Sequence, residues 1–514
     1  MASQGYNAAV ELVDRNVAEG RGEKPAFIDR NGPLTYRGLA DRVDRMAALT
    51  ATYGIARENR IALLLTDTVD FPVAFLGAIK AGVVPVALNT LLSTDQYAYM
   101  LQDCRASALV VSAALLPAIT PLIGTLPDLK HVFVSGGPAP AWAFAFSEEL
   151  DHQVPASAAA PTVADEVAFW LYSSGSTGNP KGTMHVHSSL MATARNYAQG
   201  VLSMTADDVC YSAAKLFFAY GLGNALTFPL AVGATAVLLE ERPTPESVFR
   251  TLKKHQPTLF FGVPTLYAAL LSHPGGGREA ASDRLRLCVS AGEALPAEIG
   301  RAWMQTYGVE VLDGIGSTEM LHIFLSNRVG DIKLGTTGKA VPGYELRVVD
   351  EAGSDVPDGE VGELLIKGDT AANGYWNQRA KSRSTFEGAW TRSGDKYVRD
   401  ADGFYTCQGR TDDMFKVSGI WVSPFEVEGA LITHEAVMEA AVVAREDSDG
   451  LLKPRAFVVL KPGRTEGEGL IKELQETVKA KAGPWKYPRW IHIVDSLPKT
   501  ATGKIQRFKL RNMQ

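Results

Sequence analysis

Roughly the first four hundred residues alternate short apolar runs with stretches of helical period, which restricts this part of the chain to parallel sheets covered by helices. Residues 60–65 (RIALLL) predict a strand, 71–81 a helix, 83–88 a strand, 94–104 a helix and 109–112 another strand. Strand-like runs return at 258–262, 285–290 and 310–312, with helical segments between them. After about Gly409 the texture changes. Thr411, Asp412 and Asp413 make a polar joint; strands at 437–444, 455–460 and 490–494 and a helix at 467–482 follow as a compact βαβ-like unit. A chain of 514 residues exceeds one ordinary core. The expectation is a mixed α/β fold, with a large N-terminal domain over 1–411 and a small α+β C-terminal domain over 412–514.

The formal charge of −6 comes without basic clusters, which argues against a nucleic-acid partner. A polyanionic ligand must be held by local features instead of a global field. The four cysteines, Cys104, Cys210, Cys288 and Cys407, form no CxxC pair, which argues against a zinc site or a disulfide framework and fits a reducing cytoplasm. The N-terminal stretch is charged from Glu11 onward and has no apolar core of signal-peptide length. Two uncharged stretches, 106–127 and 216–240, are interrupted by proline or glycine and predict buried strands, helices and turns, not membrane spans. A soluble cytoplasmic protein with no membrane partner is expected.

The most informative segment is 172–182, YSSGSTGNPKG, directly after an apolar strand at 167–171. Small residues let a backbone approach an anion, and N–H groups and hydroxyls can cradle phosphate oxygens, with Lys181 adding a point charge. It is not a Walker A loop, which needs Gly before the Lys and Ser/Thr after it; Pro180 and Gly182 flank Lys181 here. Two more loops end strands: 290–296 (SAGEALP) and 313–319 (DGIGSTE). Ligands of parallel α/β sheets gather at strand carboxyl ends, so the three loops are placed to converge. Further on come 390–396 (WTRSGDK), 409–419 (GRTDDMFKVSG) and 497–507 (LPKTATGKIQR).

In this order, across almost the whole chain, these strings resemble the adenylate-forming superfamily: acyl- and aryl-CoA ligases, luciferases and the adenylation domains of peptide synthetases. The resemblance implies ATP and coenzyme A as substrates and Mg2+ as cofactor, and adds a β-barrel-like part to the N-terminal domain. It implies that Ser173, Ser174, Gly175, Ser176, Thr177, Gly178 and Lys181 hold phosphates. Gly292, Glu293, Ala294 and Gly314 would flank adenine, with Asp313 beside them in the nucleotide site. Thr318 would contact phosphate and Glu319 would bind magnesium, a hard cation suited to carboxylate oxygen. Asp395 and Arg410 would hold the ribose, although a surface ion pair is the plain alternative. Lys504 matches the adenylation lysine, Asp412 the hinge of a domain rotation, and Ser418 with Gly419 the loop that replaces Lys504 for thioester formation.

Segment 212–224 (SAAKLFFAYGLGN) places Ala219 where peptide-synthetase adenylation domains usually present an Asp to an α-ammonium. An ammonium would have no partner there, so an α-amino acid is disfavoured. Phe218, Ala219, Tyr220, Gly316, His322 and Ile323 are expected to wall a small pocket, with His322 either bonding a ring hydroxyl or satisfied within the fold. In detail, 215–224, 316–327, 418–424 and 486–489 look like benzoate–CoA and 4-hydroxybenzoate–CoA ligases. A medium-chain or alicyclic carboxylate–CoA ligase, a non-catalytic nucleotide-binding homologue and a luciferase-like oxygenase are the competing readings. The sequence leaves open the ring substituent, the contacts of coenzyme A's nucleotide, and whether the chain is a monomer or a homodimer.

Overall fold

The computed structural model describes residues 5–156, 158–173, 179–411, 413–417, 420–448, 450–499 and 505–513. An eight-stranded sheet runs Gly374–Tyr375, Lys181–Val186, Val167–Ser173, Val84–Ala87, Arg60–Leu64, Ala108–Ser112, His131–Ser135 and Phe144–Ala145. From Val167–Ser173 onward the neighbours are parallel, whereas Lys181–Val186 is antiparallel to both of its own. Strand Ala108–Ser112 is buried along its whole length and Arg60–Leu64 nearly so, as strands covered on both faces must be. Helix Tyr36–Thr52, capped by the Thr35 hydroxyl accepting from the Gly38 amide, and the almost wholly buried helix Asp70–Lys80 pack together in the main core.

A nine-stranded sheet runs Lys339–Ala340, Ile323–Ser326, Val311–Gly316, Leu287–Ala291, Leu259–Gly262, Val209–Ser212, Thr235–Val237, Pro25–Asp29 and Gly32–Thr35. Its centre is parallel and its edges antiparallel. The barrel-like part takes the form of a five-stranded antiparallel sheet of Glu345–Val349, Gly362–Lys367, Phe386–Glu387, Trp390–Arg399 and Tyr405–Arg410.

Downstream, strands Val437–Glu446 and Leu452–Leu460 pair antiparallel, and Leu452–Leu460 continues through helix Glu468–Ala482 into the parallel strand Trp490–Ile493. That crossover is the expected βαβ-like unit, with its own core of Val427, Leu431, Val442, Val458, Leu474 and Val478. The two uncharged stretches resolve as strand Ala108–Ser112 with short helical turns, and as the contiguous helical segments Ala219–Leu222, Gly223–Thr227 and Phe228–Val232 before strand Thr235–Val237. Among the described residues no helix is long and apolar enough to cross a membrane.

One shifted boundary bears on the strand-end loops. The strand expected at 310–312 runs on as Val311–Gly316, so Asp313–Gly316 lie inside it and not in the loop after it. The antiparallel partner Ile323–Ser326 accounts for the extension, since it continues the ladder beyond the parallel neighbour. Gly316 is required there: a Cβ would fall 2.5 Å from the His322 carbonyl oxygen.

Candidate active site

Ser290 pairs with Asp313 and Ala291 with Gly314, so Gly292, Glu293 and Ala294 leave the sheet beside the DGIG segment. Burial pushes the Asp313 carboxyl well above the usual carboxylate range. Among the described residues, Asp313 Oδ1 and Ser290 Oγ are buried without a hydrogen-bond partner. Buried polar atoms are nearly always bonded, so these groups are suited to a polar ligand at the strand ends.

The phosphate segment is the turn of a hairpin, because Val167–Ser173 and Lys181–Val186 pair antiparallel with Ser173 opposite Lys181. Ser173 Oγ, at the last described residue before the turn, is also buried and unpaired among the described residues. Along KGTMHV the side chains alternate, which puts Lys181, Thr183 and His185 on one face. The Lys181 ammonium lies 4.5 Å from the centroid of the Tyr375 ring. Burial lowers its pKa and the Glu319 carboxylate opposes the shift. Tyr375, opposite Thr183 in the adjoining strand, donates its hydroxyl to Glu319 Oε1 at 2.8 Å. His185 is completely buried, with its ring stacked 5.2 Å from Phe169, and its Nε2 meets the Thr318 carbonyl at 2.8 Å. Burial lowers its pKa to about 4, so near neutral pH the ring is uncharged and Nε2–H donates. Sequence reasoning missed His185 and Tyr375; only the period-2 pattern after the turn signalled that His185 shares the face of Lys181.

Asp395 and Arg410 are cross-strand neighbours, with Arg410 Nη1 3.0 Å from Asp395 Oδ1. The carboxylate is largely covered and the guanidinium half exposed, so the pair borders solvent.

In the expected pocket, Phe218, Ala219 and Tyr220 are half-buried against the main core. The Tyr220 hydroxyl reaches the backbone carbonyls of Gly262 and Val289 at 3.3 and 3.2 Å, which ties it to two strands. Ile323 pairs with Gly316 across the antiparallel edge. His322 is buried, and its Nε2 contacts Asn224 Oδ1 at 3.1 Å and the Tyr220 carbonyl at 3.3 Å. Its pKa is lowered to about 3 by burial, so it is neutral and Nε2–H is spent within the fold; Nδ1 has no partner among the described residues. Tyr197, Tyr220 and Phe228 surround the ring at centroid distances of 5.5, 5.7 and 4.4 Å. Gly223 makes room for it, since a Cβ would fall 2.3 Å from His322 Cδ2. Gly223→Ala is therefore expected to lower stability by about 1–3 kcal/mol, the range for overpacking, in a thermal or urea unfolding measurement.

Ser174, Gly175, Ser176, Thr177, Gly178, Asp412, Ser418, Gly419 and Lys504 lie outside the described residues. The residue after Lys504 in the chain does report on the tail: the Ile505 amide donates to Glu293 Oε1 at 3.2 Å. Thus the end of the C-terminal unit reaches the strand-end loops of the nine-stranded sheet. Arg507, also missed from sequence, donates to both carboxylate oxygens of Glu428 at 2.8 Å each.

The geometry so far is a set of strand-end loops with a C-terminal segment laid across them. Two family models match the chain: AMP-binding enzyme over residues 14–376, and AMP-binding enzyme C-terminal domain over 426–504. The chain belongs to the AMP-binding enzyme family. It is 56% identical over 509 residues to a benzoate–CoA ligase of Thauera aromatica, covering 99% of this chain and 96% of that protein. It is 55% identical over 514 residues to a 4-hydroxybenzoate–CoA/benzoate–CoA ligase of Rhodopseudomonas palustris, covering 100% of this chain and 95% of that protein. The crystal structure of the anthranilate CoA ligase AuaEII in complex with anthranoyl-AMP matches with a TM-score of 0.95 at 42% identity, over 99% of this chain and 97% of that chain.

Proposed function

We propose that this chain is an AMP-forming acid–thiol ligase that joins benzoate or a hydroxybenzoate to coenzyme A at the expense of ATP. The observation that carries this reading is the Ile505–Glu293 hydrogen bond, which seats the chain next to the expected adenylation lysine on the loop expected to flank adenine. The aryl carboxylates in the names of its relatives, and the acyl-AMP bound to AuaEII, support the substrate class and the intermediate.

In the first step a carboxylate oxygen attacks the α-phosphorus of ATP, a P–O bond forms, and the bond to pyrophosphate breaks. Charge builds on the phosphoryl oxygens and the leaving group. Lys504 and Lys181 supply cations and Thr318 a hydroxyl, groups worth most where charge develops. Asp313 and the backbone around Gly292, Ala294 and Gly314 face adenine, while Asp395 and Arg410 orient the ribose. Glu319 offers a hard carboxylate oxygen that would hold a Mg2+ ion, which when bound would neutralise charge on the triphosphate. Phe218, Ala219, Tyr220, Gly316, His322 and Ile323 bury the aryl ring, about 1.5–3 kcal/mol for a group the size of a Phe side chain. In the second step the thiol sulfur attacks the carbonyl carbon, the C–O bond to AMP breaks, and the thiol proton passes to water. Between steps the unit 412–514 rotates about Asp412, withdrawing Lys504 and bringing in the loop of Ser418 and Gly419, which lines the pantetheine path. The setting is cytoplasmic.

Carboxylate-dependent ATP–pyrophosphate exchange without coenzyme A tests the first step. Initial rates with benzoate, 4-hydroxybenzoate, cyclohexanecarboxylate and octanoate test the pocket. Benzoate or 4-hydroxybenzoate is expected to give the highest kcat/KM, with AMP and pyrophosphate as products. Release of ADP and phosphate, or preference for octanoate, would refute the reading.

A further inference from the structure

Thr318, expected to contact phosphate, and Glu319, expected to hold magnesium, lie just past a strand end and in no regular element of their own. Three successive carbonyls there each receive a donor from outside the segment. His185 Nε2–H donates to Thr318 O at 2.8 Å, the Ala372 amide to Glu319 O at 2.8 Å, and the Thr370 hydroxyl to Met320 O at 2.8 Å. A fourth bond fixes the side chain itself, from the Tyr375 hydroxyl to Glu319 Oε1 at 2.8 Å. The donors come from the strand that leaves the phosphate turn and from the segment leading into the strand paired with it. The hairpin that carries Lys181 and the carboxylate expected to hold magnesium are thereby clamped to each other. The Tyr375 ring lies between them, with the ammonium over its face and the carboxylate at its hydroxyl.

We propose that Tyr375 and His185 are positioning residues for the first half-reaction: Tyr375 aims the Glu319 carboxylate at the metal and His185 fixes the Thr318 backbone beneath it. The inference rests on the acyl-adenylate reading above and adds to it two residues that act through Thr318 and Glu319. Groups that orient a metal ligand typically change metal affinity or activity by about 10–100-fold when removed. Their loss bears on the step that needs the metal and spares the step that does not.

The test uses the full-length protein. Tyr375→Phe removes one hydroxyl and keeps the ring under Lys181. Expected are an exchange rate lower by about 10-fold, a higher half-saturating Mg2+ at fixed ATP, and little change in conversion of supplied benzoyl-adenylate and coenzyme A to thioester. Mn2+ binding in the presence of a non-hydrolysable ATP analogue, followed by the electron paramagnetic resonance signal of free Mn2+, should weaken by a similar factor without turnover. His185→Gln, which retains an N–H donor, should keep more exchange activity than His185→Leu. Unchanged metal dependence in Tyr375→Phe, or equal losses in both half-reactions, would overturn the inference. If the wild-type protein itself shows no carboxylate-dependent exchange, the functional reading fails instead, so the two failures are distinguishable.

Discussion

Lys504→Ala is expected to slow carboxylate-dependent ATP–pyrophosphate exchange by about 100–1,000-fold while leaving thioester formation from supplied benzoyl-adenylate close to wild type. The size follows from the charge that develops on the α-phosphoryl oxygens and on pyrophosphate. A positioned cationic donor stabilises that charge more than the ground state, and removing one such donor typically costs about 2.7–4 kcal/mol of barrier. The selectivity follows from the division of labour between half-reactions. In the second step no phosphorus–oxygen bond is broken, and the charge that develops on the carbonyl and AMP oxygens arises after the proposed rotation has withdrawn the lysine. Rapid-quench measurement of each half-reaction separates the two. Equal losses in both would contradict the proposed rotation of the 412–514 unit and the sole use of Lys504 in the first step.

Much of the scaffold was legible because burial imposes a period. The run RIALLL became Arg60–Leu64, and the helix expected at 94–104 is Thr94–Cys104 to the residue. The segments after Leu287–Ala291 and Val311–Gly316 leave adjacent parallel strands, as parallel topology requires, whereas the phosphate segment turns an antiparallel hairpin of the other sheet. What the sequence hid was pairing between distant segments. Nothing local to KGTMHV says that His185 meets Thr318, 133 positions downstream. Nothing local to GYWN says that Tyr375 meets Glu319, 56 positions before it. The same blindness left His322 ambiguous, and only the Tyr220 carbonyl and Asn224, 102 and 98 positions earlier, show where its Nε2 proton goes. The extension of Val311–Gly316 through two glycines was hidden for a related reason. Glycine is disfavoured in strands by local propensity, yet here close approach of the neighbouring strand demands it at Gly316.

Pairs within the C-terminal part also tie its tail to the joint. Arg507 lies three residues beyond Lys504 and is locked to Glu428, while Arg507 and Arg511 both approach Asp413, the neighbour of the expected hinge residue. The Asp413 amide in turn donates to the Arg410 carbonyl at 3.0 Å. The tail segment, the joint and the expected ribose contact therefore share one bonded path.

Arg507→Met is expected to destabilise the C-terminal unit by about 3–5 kcal/mol, the range for removing one partner of a buried ion pair. The side chains of Arg507 and Glu428 are only 10% and 8% exposed, so water cannot replace the lost guanidinium. Its stacking 4.7 Å over the Phe425 ring is lost as well. Glu428 keeps the Val442 amide as its remaining donor, at 2.7 Å. Burial already raises the Glu428 pKa above its ordinary 4.5, with Arg507 opposing the shift. Without the arginine that value rises further. The destabilisation relative to wild type should thus be smallest at acid pH, where the carboxyl is neutral in both proteins. It should grow as pH climbs through the wild-type folded pKa toward the variant's higher one. Urea unfolding followed at several pH values reads this directly. The double variant Arg507→Met/Glu428→Gln removes the stranded charge and keeps an acceptor for the Val442 amide, so it should regain more than half of the loss. A single variant as stable as wild type at pH 7.5, or a double variant no better than the single, would show that the pair is not what anchors the tail beside the strand-end loops.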